Sequence, residues 1–147
     1  MNDTLEEPLV GGCQCGAVRY RTDMRPYKVH YCHCRMCQRA VGNVFATLVP
    51  VHKARVTWEG TPTYFQSSSM ATRGFCARCG TPLTFAYDKS QWMCLTLGSL
   101  DDPTQLRPEL HFGVESQVPW LHILDELPRE PTNQKQMEGM KSYQKAV

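Results

Sequence analysis

The sequence lacks the features that would place the protein in a membrane, in a secretory pathway or on a nucleic acid. No run of about 18 apolar residues occurs, so a membrane-spanning helix is not expected. The first residues, MNDTLEEPLV, carry acids where a secretory leader carries Lys or Arg before an apolar stretch, so we expect a cytoplasmic location. The formal net charge of +2 is too small to indicate a nucleic-acid partner.

Long helices are also not expected, because ten Gly and ten Pro are spread along the 147 residues and favour short elements joined by turns. A chain of this length is expected to form one domain with one core. Segments of alternating or apolar character recur about every 10 residues, which is typical of a mainly β fold. Residues 36–40 favour a short helix that ends at Gly42. The predicted strands cover residues 17–22, 28–32, 44–49, 55–58, 63–66, 73–75, 83–87 and 92–97.

Eight cysteines stand out in a chain expected to remain reduced. In an extended segment residues i and i+2 point to one side, so Cys13 and Cys15 can present two thiolates to one ion. Cys76 and Cys79 have the spacing of a metal-binding knuckle, and Gly80 supplies its permissive backbone. Two such pairs make the four-thiolate set of a closed structural zinc site.

A second group, Cys32, Cys34 and Cys37, packs three thiols into six residues. An open zinc site with a free fourth position is the first interpretation, because catalytic zinc sites keep three protein ligands. Two alternatives remain: a structural site completed by a further residue (His30, His33 or Cys94), or metal-free reactive thiols. Spacing alone also permits a different four-cysteine set, namely Cys32, Cys34, Cys76 and Cys79.

Five segments in order closely resemble the family of glutathione-dependent formaldehyde-activating enzymes, which includes centromere protein V. They are GCQCGAVRY (12–20), CHCRMCQR (32–39), FCARCGTPL (75–83), HFGVES (111–116) and WL (120–121) with DELP (125–128). The resemblance implies a single domain of curved antiparallel sheets around a four-cysteine zinc site, with one or two short helices. We accordingly expect an N-terminal extension (1–9), a zinc-binding domain (10–130) and a polar tail (131–147).

The resemblance also implies a division of labour among the cysteines. It makes Cys13, Cys15, Cys76 and Cys79 the structural zinc ligands, and Cys32, Cys34 and Cys37 the ligands of a second, catalytic zinc. The implied activity is the addition of glutathione to formaldehyde or a related small aldehyde, which is a carbon–sulfur lyase reaction in the reverse sense. Glutathione would be the co-substrate, and the expected partners are a small thiol and an aldehyde.

Several other side chains are candidates for this chemistry. His33 and His30 could donate a proton, because a histidine pKa lies near working pH. Arginine is a suitable anchor for the two carboxylates of glutathione, and Arg35, Arg39 and Arg73 are the candidates near the cysteines. The alternative function is a non-catalytic zinc module for a protein or nucleic-acid partner, although Lys and Arg form no basic stripe.

Overall fold

The computed structural model describes residues 2–145. These residues form eleven strands and one α-helix, joined by turns and short 3-10 segments. The elements are β1 (Thr4–Gly12), β2 (Arg19–Met24), β3 (His30–Cys32), α1 (Arg35–Val41), β4 (Ala46–His52), β5 (Val56–Glu59), β6 (Thr63–Gln66), β7 (Ala71–Phe75), β8 (Pro82–Tyr87), β9 (Trp92–Thr96), β10 (Leu110–Phe112) and β11 (Arg129–Glu130).

The strands form two sheets. The smaller sheet is antiparallel, in the order β1-β2-β5. The larger sheet has the order β11-β10-β3-β4-β9-β8-β7-β6. Its pairings are antiparallel except at one edge, where β10 runs parallel to both β3 and β11. This parallel edge brings a late segment of the chain beside the strand that carries Cys32.

Strand β4 separates the main core from a smaller buried cluster that contains Cys32 and Cys37. Because neighbouring side chains of a strand point to opposite faces, Val49 and Val51 enter the main core and are fully buried. Ala46 and Leu48 instead pack with Cys32 and Cys37 in a second buried cluster. The main core therefore covers one face of the large sheet at β4, and the opposite face carries the cluster with Cys32 and Cys37.

The sequence predicts much of this architecture. The mainly β fold with a short helix is confirmed, and every predicted strand overlaps an observed one. Strands β1, β10 and β11 were not predicted; β1 overlaps the expected extension (residues 1–9), and the described part of the expected tail begins after β11. The division into extension, domain and tail stays a prediction, and Met1 and residues 146–147 lie outside the described part.

All eight cysteines fall within the described residues, and each is a free thiol. Over the same residues, the structure contains no helix that is long and apolar enough to cross a bilayer.

Candidate functional site

The four-cysteine cluster (Cys13, Cys15, Cys76 and Cys79) joins the two sheets. Its four Sγ atoms all lie within 4.8 Å of one another. The Sγ atoms of Cys13 and Cys15 are 3.6 Å apart, and those of Cys15 and Cys76 are 3.8 Å apart. Sulfurs at about 2.3 Å from a tetrahedral zinc would be separated by about 3.8 Å. The thiols are therefore already arranged as a zinc ion would require.

Tight turns create this arrangement from local sequence. After Cys13 the chain turns through Gly16, whose φ is 80°, and Gly80 has φ 81° in the turn after Cys76. Both values lie in the left-handed region that glycine adopts at little cost. The two turns are linked directly, because the backbone N–H of Gln14 donates to Oγ1 of Thr81 at 3.0 Å. Each cysteine pair therefore helps to position the other.

Hydrogen bonds to Cys13 and Cys79 favour their thiolates, which are the forms that bind metal. The backbone N–H of Val18 donates to Sγ of Cys13 at 3.2 Å. The Thr81 hydroxyl lies 3.2 Å from Sγ of Cys79. This hydroxyl and the Thr81 backbone are the main causes that lower the pKa of Cys79 to about 5. The donor set, geometry and electrostatics fit a closed structural zinc site.

The three-cysteine cluster (Cys32, Cys34 and Cys37) lies where β3 meets α1. Cys32 ends the strand, and Cys34 caps the helix by accepting from the backbone N–H of Cys37 at 3.4 Å. The three Sγ atoms lie within 4.8 Å of one another. Among the described residues, no further His, Cys, Asp or Glu ligand atom joins this group. The cluster therefore offers three thiol ligands, one fewer than a closed structural zinc site uses.

Electrostatic contacts in this cluster also favour a thiolate. Contacts with Cys32 and Cys34, followed by the guanidinium of Arg73, hold the pKa of Cys37 well below its usual range. Nη2 of Arg73 lies 3.5 Å from the Cys37 Sγ. Contacts with Cys34 and Cys37, together with burial, raise the pKa of Cys32, so negative charge concentrates on Cys37.

A cavity of about 430 Å³, here called the main cavity, opens onto the three-cysteine cluster. All three cysteines contribute to its wall, which is otherwise mainly apolar. The predicted anchors Arg35 and Arg73 line it, as does His30. Arg39 does not; it borders a smaller cavity and donates to the backbone oxygen of Lys145 at 2.9 Å. Cys94 also lines the main cavity, and burial is the main cause that raises its pKa to about 12.

His33 lies between two of these cysteines, yet its side chain is fully buried and is not part of the cavity wall. Its Nε2 lies 2.9 Å from Nδ1 of His111. Nε2 of His111 in turn lies 2.8 Å from the Asp125 carboxylate. Tyr31 stacks on His111 with ring centroids 4.6 Å apart. The role of His33 as a proton donor stays a prediction.

Sequence reasoning missed two contributions to the site. The partnership of His33 with His111 joins positions 78 residues apart, and no local pattern indicates it. The wall of the main cavity also includes Met137 and Met140, from a polar segment with no evident role in the sequence.

Comparisons with known proteins find chains of similar sequence and fold. The family profile described as glutathione-dependent formaldehyde-activating enzyme matches residues 8–116. An uncharacterized lyase of Schizosaccharomyces pombe is 34% identical over 77 residues, a match that spans 52% of this chain and 56% of that relative. A Halomonas elongata protein named for the same family is 29% identical over 128 residues, covering 78% of this chain and 80% of the relative.

A solved structure supports the fold independently. The crystal structure of a Rhodobacter sphaeroides protein aligns with a TM-score of 0.56 and 19% identity. The alignment covers 82% of this chain and 98% of the other. At this level of identity, the likeness supports the fold alone.

Proposed function

Since the chain belongs to the family of glutathione-dependent formaldehyde-activating enzymes, we propose that it catalyses addition of the glutathione thiol to formaldehyde or a related small aldehyde. In the reverse direction this is a carbon–sulfur lyase reaction. The observation that carries the proposal is a three-cysteine cluster that forms part of the wall of the main cavity and has no fourth ligand among residues 2–145.

The proposal assigns different roles to the two cysteine clusters. Cys13, Cys15, Cys76 and Cys79 would hold a zinc ion that maintains the fold. Cys32, Cys34 and Cys37 would hold a second zinc, which when bound offers its fourth position to a thiol and favours the thiolate form. Three thiolate ligands suit this role better than water activation, because their negative charge weakens the metal as an electrophile.

The surrounding side chains would bind and orient the substrates. Arg35 and Arg73 line the main cavity, and their guanidinium groups can pair with the carboxylates of glutathione. The planar guanidinium of Arg73 also stacks 4.8 Å from the Phe85 ring centroid, which restricts its orientation. Arg39, predicted as a third anchor, would act from outside this cavity because its guanidinium donates to the C-terminal backbone.

The chemical step is a simple addition. The thiolate sulfur attacks the carbonyl carbon, a carbon–sulfur bond forms, and the carbonyl π pair moves to oxygen. The oxygen takes up one proton, which balances the proton lost by the thiol. The enzyme would contribute mainly positioning and thiol activation, since the uncatalysed addition is already feasible.

The test combines metal counting with exchange spectroscopy. We expect two zinc ions per wild-type chain and one in Cys37→Ser. NMR exchange between glutathione, formaldehyde and their adduct should be faster with wild type than without protein, and this acceleration should be lost in Cys37→Ser. Cys94→Ser is the matched control for zinc content, because Cys94 belongs to neither cluster. One zinc in both wild type and Cys37→Ser, with no acceleration by either protein, would contradict catalysis and favour a non-catalytic zinc module.

A further inference from the structure

The C-terminal segment, defined here as residues 133–145, packs beside the main cavity. Backbone hydrogen bonds fix it to the loop between β6 and β7: Ser69 N–H donates to Lys141 O at 2.8 Å, and Tyr143 N–H donates to Ser67 O at 3.2 Å. Lys141 N–H also donates to the Ser69 hydroxyl at 2.9 Å. These bonds make the segment part of the folded domain over the residues that the structure describes.

This anchoring loop also connects the segment to the three-cysteine cluster. The Ser67 hydroxyl accepts from Nε of Arg73 at 2.9 Å, and Nη2 of the same arginine donates to the Cys37 thiol. On the opposite side, the Ser142 hydroxyl donates to Sδ of Met36 in α1 at 3.2 Å. The segment therefore bridges the two elements that flank the cluster.

Four residues of the segment line the main cavity, namely Gln136, Gln144 and two half-buried methionines, Met137 and Met140, which lie there with Met36. Methionine is flexible and polarizable, so such a wall accommodates apolar groups of varied shape. It cannot pair with charge, and both arginines that line the cavity lie outside this segment. Formaldehyde has no substituent that could contact a thioether wall.

We propose that the C-terminal segment is a specificity-determining wall that selects an aldehyde bearing an apolar substituent. The inference rests on the proposed function and deepens it: glutathione would use the arginine side of the cavity, and the aldehyde substituent would contact Met137 and Met140. The addition balances as it does for formaldehyde, because the substituent on the carbonyl carbon takes no part in bond making. The family profile matches residues 8–116, so this wall lies outside the matched part.

The kinetic test compares two aldehydes, phenylacetaldehyde and formaldehyde, with glutathione in excess. Wild type should show a higher kcat/KM for phenylacetaldehyde. The full-length Met137→Ala/Met140→Ala protein should lose about tenfold or more of this preference, since small changes in an apolar pocket alter discrimination by that order. Met137→Leu/Met140→Leu keeps an apolar wall and should retain it. Glu138→Ala changes an exposed neighbour in the same segment and should match wild type.

A second measurement reports contact directly. In wild type labelled at the methionine methyl groups, the mixture of glutathione and phenylacetaldehyde should shift the NMR signals of Met137 and Met140. Circular dichroism and zinc content establish that the alanine variant is folded. Suppose that the protein accelerates formaldehyde addition. The inference alone then fails if wild type does not prefer phenylacetaldehyde, if the alanine substitutions leave that preference unchanged, or if the two methionine signals do not shift. If neither aldehyde reacts faster with the protein, the proposed function fails and the inference with it.

Discussion

The imidazoles of His33 and His111 form a buried hydrogen bond, with Nε2 of His33 2.9 Å from Nδ1 of His111. The carboxylate of Asp125 accepts from Nε2 of His111. In a neutral His111 ring, Nδ1 is therefore the acceptor, and Nε2 of His33 must donate to it. Both rings then carry hydrogen on Nε2, and Nδ1 of His33 is an acceptor without a partner among the described residues.

This chain of donors predicts the outcome of replacing Asp125 with alanine. The buried Nε2–H of His111 would lose its acceptor, which should lower the free energy of unfolding by about 1–3 kcal/mol. Denaturant unfolding of the zinc-loaded proteins measures this, with Glu126→Ala as an exposed neighbouring control. Long-range nitrogen–proton NMR on wild type should show the Nε2–H form for both rings. An Nδ1–H signal from a neutral His111 ring would contradict the assignment.

The sequence predicts those parts of the site that depend on local geometry. The pair Cys13 and Cys15, and the pair Cys76 and Cys79, follow from spacing and adjacent glycines, because each pair is positioned by its own turn. Alternation of apolar residues similarly predicts most strands. Which pair shares an ion with which is not local, and only the resemblance to a family indicated it before the structure did.

The remaining features depend on contacts between distant segments. β10 has three residues and lies parallel to β3, a pairing that requires the long connection between them. His111 meets His33 only through this pairing. Met137 lies in a polar segment without helical or strand periodicity, so its place in the cavity wall follows from backbone hydrogen bonds that carry no sequence pattern.

Replacing Cys76 with serine should abolish the cooperative fold. Cys76 is 1% exposed and belongs both to the four-cysteine cluster and to the main core. Structural zinc contributes on the order of 10 kcal/mol to such folds, which is comparable to the whole free energy of unfolding of a small domain. Amide NMR dispersion and zinc content should both collapse. Cys94→Ser is the control and should keep both; a dispersed spectrum for Cys76→Ser would contradict the structural role.

Replacing Arg73 with glutamine tests substrate binding in the main cavity. Arg73 contacts Cys37, Ser67 and the Phe85 ring, and its charge is the part that glutamine removes. Because a charge-assisted hydrogen bond to a carboxylate contributes about 1.5–3 kcal/mol, the KM for glutathione should rise about tenfold or more. Arg78→Gln, at an exposed position of the other cluster, is the matched control. An unchanged KM in both variants would remove Arg73 from the binding site.

Tyr20 should make the free energy of unfolding depend on pH in the alkaline range. Its ring is 2% exposed, and its hydroxyl lies 2.7 Å from that of Ser99. Burial raises the pKa of Tyr20 from its ordinary value of 10.0 to about 12. The raised pKa means that the folded state favours the neutral phenol. The resulting contribution of Tyr20 to the free energy of unfolding is complete below pH 10.0 and is lost as the pH rises towards 12.

The Tyr20→Phe protein should therefore be less stable at neutral pH but less sensitive to alkali. Loss of the hydrogen bond should cost about 1 kcal/mol at neutral pH. Across the alkaline window, wild type should lose up to about 3 kcal/mol more than the variant. Urea unfolding of both proteins at neutral and alkaline pH gives the comparison, with Tyr64→Phe at an exposed position as control. Parallel pH profiles for wild type and Tyr20→Phe would contradict the assignment.

Gly113 connects β10 to the three-cysteine cluster through a close backbone contact. Its φ is 69°, and a Cβ atom there would lie 3.1 Å from the backbone nitrogen of Cys34. The neighbouring carbonyl of Phe112 also accepts from the backbone N–H of His33 at 2.9 Å. A side chain at position 113 would therefore press on the short loop that carries Cys34, between β3 and α1.

Two alanine substitutions separate backbone strain from this contact. Gly42 has φ 67°, but a Cβ there would meet nothing within 4 Å, so Gly42→Ala should cost only the strain of the left-handed conformation, about 1 kcal/mol. Gly113→Ala should cost more and should also weaken zinc binding at the three-cysteine cluster, because its contact displaces Cys34. Competition with a chromophoric zinc chelator measures that affinity. Equal zinc affinity in Gly113→Ala and Gly42→Ala would mean that the loop around Cys34 adjusts without moving the Cys34 thiol. That result would contradict a role of β10 in positioning the three-cysteine cluster.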